Sequence, residues 1–490
     1  VVNVSLPYIA GSLSATVDEA TWALTAYLAA NAVILPMTGW LAQFFGRKRL
    51  LTYAVAGFTL ASIICGLSVS MPMLVVFRIL QGFTGGVMQP LSQAVMLEAF
   101  PPQARGKAMG FWGLGIVVAP MLGPVLGGWL TANYSWRWVF YINVPVGIAA
   151  LILQELFIFD PPYVHRTSAR IDWWGIGLLG LGVGALQIAL DKGQEEDWLS
   201  SRFITWLLVI AVVGLVAMVI RELTTAEPVV DLRVFRERTY ATGVLLMSIM
   251  GFVLYGSLVL LPILLQTLMG YPPLEAGITL APRGFGSFVA MPVVGLLTSR
   301  VDPRKLLTAG FGLTALTMFW FSRMTLDAGY WDLFWPQFVQ GLSLGLMFVP
   351  LTTITMDAIS KQAMGNATSL FNLTRNIGGS IGIATVQTLV ARHQQVHTAI
   401  LGAHVSQFEP SARRIFEGLR ELFISQGADA TAAAAKATAA LWGMVERQAA
   451  ILSFLDAFRT LGWMVVVVVP LVLLMRRPRH EPGESVVVAD

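Results

Sequence analysis

Long apolar stretches follow one another along most of this chain, and short polar joints separate them. A helix needs about 20 apolar residues to cross the ~30 Å hydrocarbon core of a bilayer. The opening residues, VVNVSLPYIAGSL, are interpreted as the second half of a helix whose beginning lies before Val1. Together with that segment, the pattern predicts fourteen membrane helices. The others are expected at 21–45, 50–68, 73–99, 107–131, 138–158, 173–190, 203–220, 240–268, 274–299, 306–322, 332–359, 365–391 and 452–475.

The amino-acid composition is typical of an integral membrane protein. Hydrophobic residues make up 56% of the chain and charged residues 12%, whereas about 25% charged residues is typical of soluble domains. A soluble protein could not cover that much apolar surface. The single cysteine, Cys65, excludes a disulfide framework and a multi-cysteine metal site. Histidines are expected only in loops or tails, and the sequence lacks a Walker-type phosphate loop, so we expect no enzyme.

Basic residues give the orientation. Lys and Arg concentrate in alternate joints, beginning with the turn Gly46–Arg49. Because cytoplasmic loops retain Lys and Arg preferentially, these joints and the C-terminal tail are placed in the cytoplasm. The net charge of +4 is therefore an orientation signal, and we expect no nucleic-acid partner.

Three pairs of short motifs repeat in the same order at nearly the same offset. The pairs are GWLAQFFGRKRLL with GLLTSRVDPRKLL, RILQGFTGG with QFVQGLSLG, and GKAMGFWG with GNATSLFN. A duplicated helix bundle explains this order better than three chance similarities. Duplicated bundles place the substrate site near the bilayer midplane, between halves that rock against each other.

These patterns divide an all-α polytopic membrane protein into four parts. Residues 1–158 form an N-terminal six-helix bundle with a truncated first helix. Residues 159–239 contain two additional helices and linkers. Residues 240–475 form a C-terminal six-helix bundle that includes an outer, periplasmic segment at 392–451. Residues 476–490 form a cytoplasmic tail.

The motifs resemble those of the major facilitator superfamily. GWLAQFFGRKRLL resembles its loop-two motif, VVFRILQGFTGG its fourth-helix motif, and APMLGPVLGGWL its fifth-helix antiporter motif. VVNVSLP, WRWVFYINVPVG and NLTRNIGGSIG resemble the fourteen-span drug:proton antiporter branch, and LPMTGWLA resembles the EmrB type of multidrug exporter. The resemblance covers nearly the whole chain.

This resemblance implies a major facilitator fold and a function. The expected activity is proton-coupled export of amphiphilic drugs and xenobiotics by alternating access, with no cofactor besides the proton gradient. The expected location is the bacterial inner membrane, and the expected partners are a periplasmic adaptor protein and an outer-membrane channel. The alternative is a dedicated exporter of one metabolite, lipid or siderophore on the same fold.

Two departures from the family pattern concern acidic residues. Gln43 stands where the loop-two motif usually has an aspartate. The family's first helix carries a Leu-Asp pair just ahead of the VVNVSLP-like run. The main proton-carrying acid is therefore expected upstream of Val1.

Proton coupling is assigned to three residues. Arg78 lies within an apolar run, where burying its charge costs roughly 2.5–3.5 kcal/mol on insertion scales, so we expect it to face the bundle interior with a partner. The resemblance implies a coupling role for Arg78 with Gln81 beside it; a structural bond between two helices is the alternative. Asp357 is a candidate titrating group or an interfacial charge near Lys361.

Gating is assigned to the inner turns and to the fifth helix. At the inner turns the candidate hinge residues are Gly39, Gly46, Arg47, Lys48, Gly295 and Arg304. Proline kinks a helix, and glycines four residues apart allow a close helix approach. The fifth-helix residues Gly123, Pro124, Gly127 and Gly128 therefore seal the cavity against proton leak or serve helix packing alone.

Aromatic and amide side chains in the central spans are the candidate substrate contacts. A ligand pocket needs apolar walls with few polar groups. Arg283 and Arg375 lie inside spans, where cavity lining and interhelical pairing remain open. Several arginines with few acids favour weakly acidic amphiphiles as substrates. The other candidate substrate-binding residues are Tyr27, Asn31, Trp112, Gln337, Gln340, Phe371 and Asn372.

The outer segment 392–451 is much longer than the other outer loops. Its apolar residues recur at spacings of three and four, which predicts helices that dock an adaptor or cover the cavity. Its histidines, His393, His397 and His404, are expected to be solvated, and no metal site is predicted. Asp191 opens the cluster DKGQEEDW, which is interpreted as a solvated face.

Overall fold

The computed structural model describes residues 2–101, 104–159, 172–225, 228–298, 300–406 and 408–475, and the regular structure within those ranges is helical. The predicted tail at 476–490 lies outside the described residues. In chain order the α-helices are α1 (Val2–Ser12), α2 (Val17–Ile34), α3 (Thr38–Phe45), α4 (Arg47–Gly66), α5 (Met71–Ala99), α6 (Arg105–Asn133), α7 (Trp138–Tyr141), α8 (Asn143–Phe157), α9 (Trp173–Lys192), α10 (Arg202–Thr224), α11 (Arg238–Ile263), α12 (Pro273–Leu297), α13 (Pro303–Phe321), α14 (Tyr330–Asp357), α15 (Met364–Ala403), α16 (Pro410–Ser425) and α17 (Ala430–Val468).

Helix boundaries follow local chemistry at the two inner basic turns. Gly46 has φ 85°, separates α3 from α4 and accepts from the Leu50 amide. Only glycine adopts that backbone conformation without strain. In the second turn, the Asp302 side chain accepts from the Arg304 amide at 3.0 Å and Pro303 opens α13. Both turns thus end one membrane helix and immediately begin the next.

Hydropathy and helix length agree with a polytopic membrane protein. Within the described residues, ten helices are long and apolar enough to cross a bilayer. They correspond to α2 with α3, α4, α5, α7 with α8, α9, α10, α11, α12, α14 and α17. Helices α1, α6, α13 and α15 pack among them. This arrangement is compatible with fourteen spans, and that count stays a prediction.

Two helix bundles form the body of the molecule. In the first, α2 and α4 pack on α5; in the second, α11 packs on α15 and α14 packs on both α12 and α13. Helix α6 packs on α12 and α14, and α15 packs on α3 and α5, so these contacts join the bundles. Helix α9 packs on α2 and α15, and α10 packs on α9. The additional pair therefore contacts both halves through α9.

The two stretches of the outer segment with apolar spacings of three and four are helical, as predicted, and the beginning of the segment is a continuation of α15. Helix α15 continues without interruption through 40 residues, a length of about 60 Å, which exceeds the ~30 Å bilayer core. Its outer end, α16 and the beginning of α17 form the extramembrane hairpin (residues 392–451). His393 and His397 lie on α15, so the prediction that every histidine lies in a loop or tail is wrong for these two.

Candidate transport pathway

A buried arginine network lies in the N-terminal bundle. Arg78 Nε donates to the Ala23 carbonyl at 2.9 Å, and Nη1 donates to Gln81 Oε1 at 2.5 Å. Gln81 Nε2 in turn donates to Ser62 Oγ at 2.6 Å. The guanidinium carbon is 4.1 Å from the centroid of the Tyr27 ring. The network links α2, α4 and α5, so Arg78 has the interior position and the partners that the sequence predicts.

A second network occupies the C-terminal bundle. Arg283 on α12 donates from Nε to Gln337 Oε1 at 2.8 Å and from Nη2 to Gln340 Oε1, both on α14. Gln340 Nε2 donates to Ser257 Oγ on α11 at 3.2 Å. Interhelical pairing, one of the two open alternatives, is therefore what the structure shows for Arg283. Gln81 and Gln340, which are equivalent in the repeated motif, each accept from a buried arginine.

A third group joins the two bundles. The rings of Trp112 on α6 and Phe348 on α14 stack with centroids 5.9 Å apart, and Trp112 Nε1 donates to Ser92 Oγ at 3.1 Å. Asn372 Nδ2 on α15 donates to Gln93 Oε1 on α5 at 2.6 Å. The predicted substrate residues therefore fall into three groups: one in each bundle and one between them.

Glycine contacts close the inner side between the bundles. A Cβ atom added to Gly39 would lie 2.6 Å from the Asn366 backbone and 2.9 Å from the Gly365 carbonyl carbon. A Cβ atom added to Gly295 would lie 2.7 Å from the Gly106 carbonyl oxygen. Gly39 and Gly295 are equivalent in the repeat, and so are Gly106 and Gly365. The two crossings are thus related by the same internal symmetry, and we call them the inner glycine crossings.

Ion pairs surround these crossings. Arg105 Nη1 lies 3.7 Å from Asp357 Oδ1, which joins the inner ends of α6 and α14 across the two bundles. Arg47 pairs with Glu98 inside the N-terminal bundle, and both side chains are buried. Lys48 Nζ lies 3.1 Å from Glu155 Oε1. Asp357 therefore lies beside Arg105, where α6 and α14 meet, and its role in coupling stays a prediction.

The other predicted gating and substrate residues are held by hydrogen bonds or packed inside the helix bundles. Arg304 Nη1 donates to the Met475 carbonyl at 2.9 Å. Arg375 is 3% exposed, and its Nη2 lies 3.4 Å from Asn376 Oδ1. Phe371 is fully buried. Asn31 lies against Gly82 and Gly86 of α5. Gly123, Gly127 and Gly128 lie within α6, whereas the Pro124 side chain lies outside the described residues.

Several important residues were missed by the sequence analysis. Gln93 and Glu98 lie in the apolar run of α5, and the insertion argument used for Arg78 applies to them too. Asp191 was expected on a solvated face, but it accepts from Thr25 of α2 and is partly buried. That prediction is wrong because residues after Leu190 remain within α9 and pack against α2. The neighbouring Lys192 donates to Thr21 Oγ1 at 2.5 Å.

Two helix bundles, with a buried polar network in each and close contacts between them at one end, are the architecture of a membrane transporter. Comparison with known proteins agrees with that class. The sequence profile of the Major Facilitator Superfamily matches residues 1–383. The chain belongs to the Major Facilitator Superfamily, which confirms the fold class and the family resemblance found in the sequence.

Sequence similarity to individual proteins shows which type of transporter within the superfamily the chain belongs to. It is 38% identical over 428 residues to the multidrug export protein EmrB of Escherichia coli strain K12, covering 87% of this chain and 83% of that protein. It is 36% identical over 488 residues to the fatty acid resistance protein FarB of Neisseria gonorrhoeae, covering 99% and 94%. These identities confirm that the chain is a multi-pass transporter of the EmrB type.

Solved structures share the fold at low sequence identity. The proton:xylose symporter XylE superimposes with a TM-score of 0.61 at 13% identity, covering 98% of this chain and 92% of that one. The human organic anion transporter MFSD10 gives a TM-score of 0.60 at 11% identity, covering 97% and 89%. Both likenesses describe the architecture alone.

Proposed function

We propose that this transporter exports amphiphilic compounds from the cytoplasm in exchange for inward-moving protons. The observation that carries the proposal is the pair of inner glycine crossings, because two symmetric contacts at one end let the bundles separate there as rigid bodies. Rocking of one bundle against the other, with the Arg78 and Arg283 networks intact inside them, would expose the space between the bundles alternately to each side. The relatives named for multidrug export and fatty acid resistance support the direction and the substrate class.

Weakly acidic amphiphiles fit the site better than cations. Arg78, Arg283 and Arg375 are all buried. Within the described residues, Arg283 Nη1 and Arg375 Nε have no hydrogen-bond partner. A buried guanidinium with an unused N–H donor favours a carboxylate-bearing guest, since a carboxylate pairs with its charge and can accept two parallel N–H bonds. Apolar tails of such guests would contact surfaces such as Trp112 and Phe348.

The proton-coupling role is tested with the purified full chain alone in liposomes. With a pH gradient imposed, we expect a fluorescent fatty acid analogue to move faster than in protein-free liposomes, where a weak acid follows the gradient passively, and nigericin, which dissipates the gradient, should abolish that difference. Transport that persists unchanged after the gradient is collapsed contradicts proton exchange. A series of cationic dyes, single metabolites and siderophores in the same assay distinguishes a broad exporter from a dedicated one.

The extramembrane hairpin is the proposed contact for a periplasmic adaptor, which would connect the transporter to an outer-membrane channel. Exposed apolar side chains cluster on it, including Phe408, Leu422 and Trp442. A photo-crosslinking amino acid at Phe408 is expected to trap the coexpressed adaptor. The same amino acid at Leu316, which is 55% exposed on α13, should not trap it. Equal trapping at both positions would contradict the proposal.

A further inference from the structure

Two histidines and an aspartate converge outside the transport pathway. His393 and His397 are four residues apart on α15, so their side chains share one face of the helix. Asp456 on α17 faces them: its Oδ2 lies 3.0 Å from His393 Nδ1 and 2.8 Å from His397 Nε2. The three ligand atoms all lie within 4.8 Å of one another.

We propose that His393, His397 and Asp456 form a binding site for a divalent transition cation of the zinc class. Zinc takes imidazole nitrogen and carboxylate oxygen at about 2.0–2.2 Å in tetrahedral geometry, which puts neighbouring ligand atoms ~3.3–3.5 Å apart. The observed separations from Asp456 Oδ2 are a few tenths of an ångström shorter. Side-chain rotations that separate Asp456 Oδ2 from the two imidazoles would therefore admit the ion.

The surroundings of the cluster suit a metal ion. The side chains of His393, His397 and Asp456 are 41%, 23% and 26% exposed, so a water molecule can take the fourth position and the ion can enter from solvent. Arg459 Nη1 lies 3.7 Å from Asp456 Oδ1, the carboxylate oxygen that the histidines do not contact. Since Arg459 is 56% exposed, it can stay beside that oxygen or turn to water when the ion binds.

Because of the position of the site, a bound ion would connect two helices at the base of the extramembrane hairpin. Helices α15 and α17 enter and leave the extramembrane hairpin, and the cluster lies where they run side by side. An ion held by ligands from both helices would fasten the base of the hairpin. The site shares no residue with the Arg78 and Arg283 networks, so it is independent of the proposed transport mechanism.

The experiment measures Zn²⁺ binding to the purified full chain by isothermal titration calorimetry. We expect one Zn²⁺ per chain. The substitutions His393→Ala, His397→Ala and Asp456→Asn should each weaken binding by at least about 10–100-fold. His404→Ala is the matched control, because His404 is exposed on the same helix end and its Nδ1 contacts only the Ile400 carbonyl in the described structure.

Absorption spectroscopy with cobalt(II) is a second measurement of metal binding that does not rely on calorimetry. Visible absorption typical of tetrahedral cobalt is expected for the native chain and for His404→Ala, and it should be lost in His397→Ala. Thermal unfolding in detergent, with and without Zn²⁺, checks that each variant is folded. Equal Zn²⁺ binding by the native chain and a folded His393→Ala/His397→Ala variant would overturn the proposal, and the cluster would then be a hydrogen-bonded helix contact only.

Discussion

At the residue scale, one buried arginine in each bundle has the same kind of acceptor. Arg78 and Arg283 are each bonded to glutamine carbonyl oxygens rather than to carboxylates. A carboxylate would cancel the charge, whereas an amide satisfies the N–H geometry and leaves a net positive charge inside the bundle. That charge lowers the pKa of any carboxylate that comes near it. An amide acceptor therefore suits an arginine that acts on a proton carrier or an anionic guest.

Two substitutions at Gln81 separate a coupling role of Arg78 from a structural one. In Gln81→Glu the acceptor is retained and the charge of Arg78 is neutralised. We expect thermal stability in detergent to be unchanged or higher, while the rate of transport driven by a pH gradient falls by more than about tenfold, equivalent to ~1.4 kcal/mol. Gln81→Leu should instead lower both quantities, because it removes the acceptor.

The measurement pairs unfolding temperature with uptake into liposomes for each variant. If Gln81→Glu transports as well as the native chain, Arg78 serves only to join α2 and α5. A structural role alone predicts that activity follows stability in both variants.

At the element scale, glycines that correspond in the sequence repeat make matching contacts between the two bundles. Equivalence of Gly39 with Gly295, and of Gly106 with Gly365, can be read from the motif offsets. Their crosswise pairing cannot, because a sequence repeat defines which positions correspond and says nothing about which positions touch. Glycine at all four positions lets backbones approach closely enough to close the inner side.

Substitution of either symmetric glycine should open the inner side. Gly39→Ala and Gly295→Ala place a methyl group against backbone atoms at 2.6 and 2.7 Å. Overpacking costs of about 1–3 kcal/mol would shift the balance between inner-closed and inner-open states by roughly 5- to 150-fold. Both variants should shift it in the same direction.

A single cysteine reports that shift. In a Cys65→Ser background, Gln93→Cys places a thiol at a fully buried position between the bundles. Impermeant maleimide added from the cytoplasmic side should label it slowly in the otherwise native chain and faster in both glycine variants. Gly312→Ala is the matched control, since a Cβ atom there meets nothing within 4 Å. Unchanged labelling in both variants would show that the glycine contacts do not seal the inner side.

The membrane spans could be predicted from the sequence, whereas the outer end of α15 and its contact with α17 could not. The ten helices identified by hydropathy match predicted spans because lipid imposes length and apolarity directly. The polar outer turns of α15, which carry His393 and His397, resemble a loop in composition, so their helicity was not predicted. Their partner Asp456 comes from another helix, 63 residues from His393. No local pattern indicates such a pairing.

At the scale of the whole molecule, the structure is closed at its inner end. The crossings of α3 with α15 and of α6 with α12, together with the Arg105–Asp357 pair, join the bundles there. Export by alternating access requires these contacts to break once in every cycle. Contacts inside one bundle, such as Lys48 with Glu155, should persist throughout.

Crosslinking tests that distinction directly. In a Cys65→Ser background, Arg105→Cys/Asp357→Cys pairs the two bundles, and Lys48→Cys/Glu155→Cys pairs α4 with α8 in one bundle. A short cleavable bis-maleimide should arrest transport in the first variant, and cleaving the linker should restore it. The same treatment should leave the second variant active. Transport that continues with the two bundles joined at Arg105 and Asp357 would contradict rigid-body rocking, because a fixed inner end admits no substrate from the cytoplasm.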